Sequence, residues 1–178
     1  MDVAHIGSIE VTGDKLIACD PCRKTTEEWY NVIINDMLPG KYNVKATVFD
    51  NEETNGWGDR VAELTIQHEK YDNQDYAPME RITDRHNCVG VDTGTACFAN
   101  LEAYEESIKD EQAHGRELDR LWRAIDTNEE ARAAICNNIA ASSSGFGDGC
   151  YDVCVRYAEI DGHTKVVSAS IEFLQEGE

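Results

Sequence analysis

The chain has 178 residues, with 35 Asp and Glu against 16 Lys and Arg, a formal charge of −19. That length suits a single domain with a buried core. That charge repels a nucleic-acid phosphate backbone or an anionic membrane, and leaves a basic protein or a cation as the partner to expect. Residues 1–7 carry neither the basic nor the apolar region of a signal peptide, and no apolar run reaches membrane-spanning length, so a cytoplasmic protein is expected. Seven cysteines cannot all pair within one chain, and a reducing compartment would leave most of them as thiols.

In chain order, Gly7–Val11 alternates and stops at Thr12-Gly13-Asp14 before the apolar run Lys15–Cys19, which reads as an opening hairpin. Asp20-Pro21 ends it, because proline brings no amide hydrogen to a ladder. Within 23–38, Trp29, Val32, Ile33 and Ile34 point to a strand, with a helix as the alternative. Pro39-Gly40 is a turn, and a hairpin follows with Tyr42, Val44, Ala46 and Val48 on one face of its first strand and Ala62, Leu64 and Ile66 on one face of its second. A matching unit closes the chain, with Tyr151, Val153, Val155 and Tyr157 followed by Val167, Ala169, Ile171 and Phe173. The two units read as an internal repeat whose other faces, with Glu63, Thr65, Ser168 and Ser170, suit solvent.

Between them the apolar period changes. Leu101, Tyr104 and Ile108, then Leu118, Leu121, Trp122 and Ile125, fall on helical spacings. Thr127-Asn128-Glu129-Glu130 has the form of a capping box and predicts a short third helix through Ala131, Ala134 and Ile135. Residues 137–149 hold a strand candidate and a glycine-rich loop. The whole predicts one α+β domain over 1–178, a mainly antiparallel β sandwich or rolled sheet. Its parts are a β-rich half at 1–98, two or three helices inserted within 99–136, and a β-rich C-terminal part at 137–178.

Several segments together resemble a known family. They are Val91-Asp92-Thr93-Gly94-Thr95-Ala96-Cys97-Phe98, Ser144-Gly145-Phe146-Gly147-Asp148-Gly149-Cys150-Tyr151, and Ala18-Cys19-Asp20-Pro21 with Leu38–Val44 and Arg60-Val61-Ala62 after it. The resemblance is to the family labelled domain of unknown function 4241, over nearly the whole chain. Phe146 stands where the family pattern has Trp, and Ala96 where it has Gly. The resemblance implies no established activity and carries no catalytic residues.

Two constellations could carry chemistry. Cys19 and Cys22 form a CxxC, the spacing at which two thiolates share a tetrahedral zinc, and the nearest further donors are His86 and Cys88, with Cys97 behind them. No cofactor is expected; a structural zinc on Cys19, Cys22, His86 and Cys88 is the one metal reading, against a pair of reduced thiols. Cys97 with His86 could also be written as a nucleophile and base, though no orienting third group is identifiable. Second, Gly56-Trp57-Gly58-Asp59 and Gly145-Phe146-Gly147-Asp148 each join flexible backbone to an aromatic and a carboxylate. Trp57, Asp59, Asp92, Phe146 and Asp148 are therefore the candidate ligand-binding residues, against two plain turns. The commonest hydrolase, phosphate-loop and dinucleotide motifs are absent from the sequence. The expected function is a non-catalytic interaction protein, of the immunity or phage-encoded inhibitor type, engaging a basic protein partner. The competing expectation is a small enzyme or ligand- or metal-binding protein with a cleft between the two Gly-aromatic-Gly-Asp loops. Nothing in the sequence specifies a subunit number.

Overall fold

A computed structural model describes residues 1–24, 26, 29–72 and 78–175. In chain order its elements are β1 (Asp2–Val11), β2 (Leu16–Cys19), β3 (Val32–Ile34), β4 (Gly40–Phe49), β5 (Arg60–His68), β6 (Glu80–Arg81), β7 (Val89–Val91), β8 (Thr95–Asn100), α1 (Leu101–Ser107), α2 (Glu111–Thr127), β9 (Ala133–Cys136), β10 (Ile139–Ser143), β11 (Gly149–Ile160) and β12 (His163–Glu172). One sheet runs β1-β4-β5-β12-β11-β6, with β7 on the first residues of β11; the other runs β3-β2-β8-β10-β9. Their ladders are antiparallel.

The layering follows from side-chain alternation. Ile9, Tyr42, Val44, Leu64, Ile66, Val153, Val155 and Ile171 from the first sheet meet Leu16, Ala18, Phe98 and Ala140 from the second in one core. The opposite face of the second sheet, with Ile17, Cys19, Cys97 and Ala99, packs on Tyr104 of α1 and Leu121 and Ile125 of α2. This α+β sandwich therefore has three layers. Because its middle sheet is covered on both sides, β2 and β8 are buried at every residue, and Leu16–Cys19 and residues 96–99 read as unbroken apolar runs rather than alternating ones.

The two similar hairpins are adjacent in one sheet, joined where β5 pairs with β12. Each has an extra residue in its returning strand, Ala62 between the partners of Val48 and Thr47, and Val167 between the partners of Tyr157 and Arg156. A bulge flips the alternation. Val61 and Val166 thus join Leu64 and Ala169 in the core between the sheets, while the expected Ala62 and Val167 are also buried but lie outside that cluster. The outer face of β12 also differs from expectation, since Ser168 and Ser170 are buried; the Ser168 hydroxyl donates to the Ile66 carbonyl at 3.1 Å.

The opening hairpin is corrected. β1 pairs with β4 and β2 with β3 and β8, so Thr12–Lys15 is a corner that carries the chain from one sheet to the other. Asn100 holds that corner, accepting from the Thr12 N–H at 3.0 Å and donating to the Glu10 carbonyl at 2.8 Å. Trp29 lies outside β3 and is exposed. The third helix is corrected as well. Asn128 ends α2, its side chain accepts from the Ala131 N–H and donates to the Ala133 carbonyl, and Arg132 turns at φ 44° into strand β9. Two helices remain within 99–136. No helix among the described residues is long and apolar enough to cross a membrane.

Candidate functional site

The three most distinctive sequence boxes meet at one end of the sandwich. Asp20 leaves β2 into the interior and is 1% exposed. Its carboxylate accepts from the N–H groups of Cys22, Asp92 and Thr93, each at 2.9 Å, and from the Thr93 hydroxyl at 3.0 Å. Such a carboxylate organises two loops at once, because it satisfies backbone N–H groups of both and a side-chain hydroxyl of the second. One residue on, Gly94 donates to Asp148 Oδ1 at 3.1 Å, and its carbonyl accepts from the Ser144 N–H at 3.0 Å. Tyr151 closes the glycine-rich loop, its hydroxyl set 2.6 Å from the Gly147 carbonyl and 3.2 Å from that of Ser144. Burial pushes that phenol's pKa up, which keeps it a donor.

On this frame stand two exposed aromatics. Loop 50–59 is folded by its own polar groups: Asp50 accepts from the N–H groups of Glu52 and Glu53, which holds its carboxyl below the usual range, and Asn51 accepts from the Gly58 N–H. Asn55, Gly56 and Gly58 take φ of 54°, 88° and 78°, the left-handed turns that lift Trp57 outward. Trp57 and Phe146 then meet edge to face with centroids 6.3 Å apart, although they are 68% and 52% exposed. The sequence comparison of the two Gly-aromatic-Gly-Asp loops thus marks side chains that touch.

The carboxylates do not join them in a cleft. Asp148 is turned onto Gly94, and Asp92 pairs with Arg23 at 3.2 Å. Asp59 lines a separate groove of ≈ 590 Å³ that holds neither Asp92 nor Asp148. The sequence did not single out Asp20, Arg23 or Tyr30. Arg23 donates to the Gly90 carbonyl at 3.0 Å and lies over the Tyr30 ring, while Tyr30, at φ 82°, accepts from the Gly90 N–H. An aspartate before proline carries the same signal whether it is buried or in an open turn, so only the fold separates the two.

The proposed zinc ligands are dispersed. Cys88 is bonded to Cys150 in a disulfide, His86 is exposed on the 84–87 turn, and Cys19 Sγ lies 3.8 Å from Cys97 Sγ. Alternation explains the Cys19 pairing, since Cys19 and Cys97 are cross-strand partners on the helix-facing side of the middle sheet. Among the described residues no three His, Cys, Asp or Glu side chains are grouped to hold a metal ion. The contact with Cys19 and full burial push the Cys97 thiol well above its ordinary pKa. That is the reverse of what a nucleophilic thiolate needs, and His86 is not its partner.

The chain belongs to the family described as a protein of unknown function (DUF4241), whose model matches residues 9–168. No curated protein and no solved structure matches it. The matched span takes in the Asp20, Asp92–Gly94 and Ser144–Asp148 boxes, whose mutual hydrogen bonds give those segments a shared structural role.

That role makes a prediction. Gly147→Val places a β-branched residue at φ 117° and is expected to cost roughly 2–3 kcal/mol of stability. Asp148→Ala gives up one bond at an exposed site, about 1 kcal/mol. Urea denaturation of both variants checks the order; equal midpoints for the parent and Gly147→Val would contradict it.

Proposed function

We propose that this chain is a non-catalytic interaction protein that binds a net-basic protein partner, in the manner of small immunity proteins or phage-encoded inhibitors. The observation that carries the reading is the exposed Trp57–Phe146 pair, delivered by two loops distant in sequence. Large aromatics held in water on ordered loops are costly unless covered by something, and tryptophan is the residue most enriched where partners bind most tightly. Neither ring lines the grooves of ≈ 590, ≈ 490 and ≈ 280 Å³, which favours a macromolecular contact over an enclosed small ligand.

Charge selects the partner. Asp50, Glu52, Glu53 and Asp59 are the only charged residues of loop 50–59, Asp148 follows Phe146, and the chain as a whole carries −19. Exposed rings on loops whose charged residues are acidic match a partner surface of apolar residues accompanied by lysine and arginine. The five free cysteines fit a cytoplasmic setting, and the Cys88–Cys150 disulfide is the one feature that runs against it. The two hairpins, each with a bulge in its returning strand, fit a duplicated unit.

The test is a double variant, Trp57→Ser with Phe146→Ser. Both rings are exposed, so stability is expected to stay within about 0.5 kcal/mol of the parent. In quantitative affinity capture, a net-basic protein retained by the parent is expected to be lost from the variant. Identical retention by both would overturn the reading.

A further inference from the structure

Strand β1 ends the seven-stranded sheet and, among the described residues, pairs with β4 alone. The other sheet ends are two, three and four residues long, at β6, β3 and β9, whereas β1 has ten. Long open edges invite added strands, and proteins usually block them. Here the block is local. The Asn138 side chain accepts from the Glu10 N–H at 2.8 Å and donates to the Glu10 carbonyl at 2.9 Å, standing in for a neighbouring strand at that one residue. Towards the N-terminus, Asp2–His5 runs in unbroken register against Lys45–Val48 until the extra residue Ile6, with Val3 53% exposed. Beside this stretch lies the ≈ 590 Å³ groove, lined by Asp2, Val3, Asp50, Asp59 and Glu130 among others and by no Lys or Arg.

We propose that the Asp2–His5 edge accepts an extended segment of the basic partner as an added strand. Its backbone amides would pair with β1, and its alternate lysine or arginine side chains would reach Asp50, Asp59 and Glu130. Alternation suits the site, because the lysine or arginine side chains on one face of an added strand would all turn to the groove and its carboxylates. The inference rests on the basic-partner reading and locates part of that contact. Asp59 connects the groove to the loop bearing Trp57. A second copy of this chain is the weaker occupant, since it would bring its own carboxylates against these.

The probe is an acetylated and amidated Lys-Val-Lys-Val-Lys-Val-Lys peptide, compared with the same peptide N-methylated at alternate residues, both added to the full chain. The unmodified peptide is expected to slow hydrogen exchange at amides within Asp2–His5. Methylation keeps the charge but removes ladder donors, and is expected to weaken binding about tenfold or more. Asp50→Asn with Asp59→Asn and Glu130→Gln should weaken binding similarly; Glu102→Gln with Asp119→Asn and Asp126→Asn on the helices should not. Equal binding of the two peptides, or binding of neither, overturns strand addition. Slowed exchange at Asp2–His5 that depends on chain concentration without peptide assigns the edge to a second copy and also overturns it. A peptide that shifts the Trp57 indole resonance without protecting these amides overturns strand addition alone and leaves the aromatic contact standing.

Discussion

Asp20→Ala is expected to destabilise the protein by roughly 3–5 kcal/mol, a large part of the 5–15 kcal/mol typical of a domain. The carboxylate is the acceptor for three backbone N–H groups, of Cys22, Asp92 and Thr93, and for the Thr93 hydroxyl. An orphaned buried donor costs about 1–3 kcal/mol, and water entering the vacated space recovers part of the sum. Asp20→Asn keeps the shape and one acceptor oxygen but turns an N–H₂ towards N–H donors, so about half the loss is expected. Thr93→Val removes only the hydroxyl and should cost about 1 kcal/mol. Chemical denaturation ranks the three; an Asp20→Ala midpoint within error of the parent would remove Asp20 from its central place.

Gly90→Ala is the second large effect, at roughly 2–4 kcal/mol. Gly90 lies in β7, and a Cβ there would sit 2.6 Å from Tyr30 Cβ and 2.8 Å from its Cγ. Those atoms adjoin the backbone and cannot swing aside as a side-chain tip could. Tyr30 is also held, at φ 82°, by the bond from the Gly90 N–H to its carbonyl. Relief requires Tyr30 and its backbone to lift away, which breaks that bond and disturbs the one from Arg23 to the Gly90 carbonyl. Tyr30→Gly removes both the clash and the positive-φ strain, so Gly90→Ala should cost much less in that background. Such coupling is expected only of residues in contact. Additive effects in the double variant would show that the contact is not the cause.

Strand character was readable wherever one face is wet. Tyr42, Val44 and Ala46 alternate with Asn43, Lys45 and Thr47, and Val153 and Val155 lie between Asp152 and Arg156, so both hairpins are legible, although Cys154 between the two valines is itself buried. The sheet to which a strand belongs was not. Thr12-Gly13-Asp14 marks a reversal equally well for a hairpin and for a corner between sheets, and the deciding contact is with Asn100, far along the chain. Ala131, Ala134 and Ile135 fit a helical face, yet Ala133 and Ile135 fit a strand as well, and pairing with β10 decides. Bulges at Ala62 and Val167 add one residue each and leave no mark in composition. At the site, the likeness of the two Gly-aromatic-Gly-Asp loops was visible in the sequence. Where the carboxylates sit is not legible in the sequence, because their partners come from other segments, Gly94 for Asp148 and Arg23 for Asp92. Cys88 was read with its sequence neighbours, while its partner Cys150 lies 62 residues on.

The most direct test of the proposed function is site-specific photocrosslinking in the cells that make the protein. A benzoylphenylalanine is placed in separate experiments at Trp57, at Phe146 and, as a control on the helical layer, at Asp119. The expected result is an adduct to the same net-basic protein from positions 57 and 146 and none from 119. No adduct from 57 and 146, or the same adduct from all three, would contradict a partner bound through the Trp57–Phe146 surface.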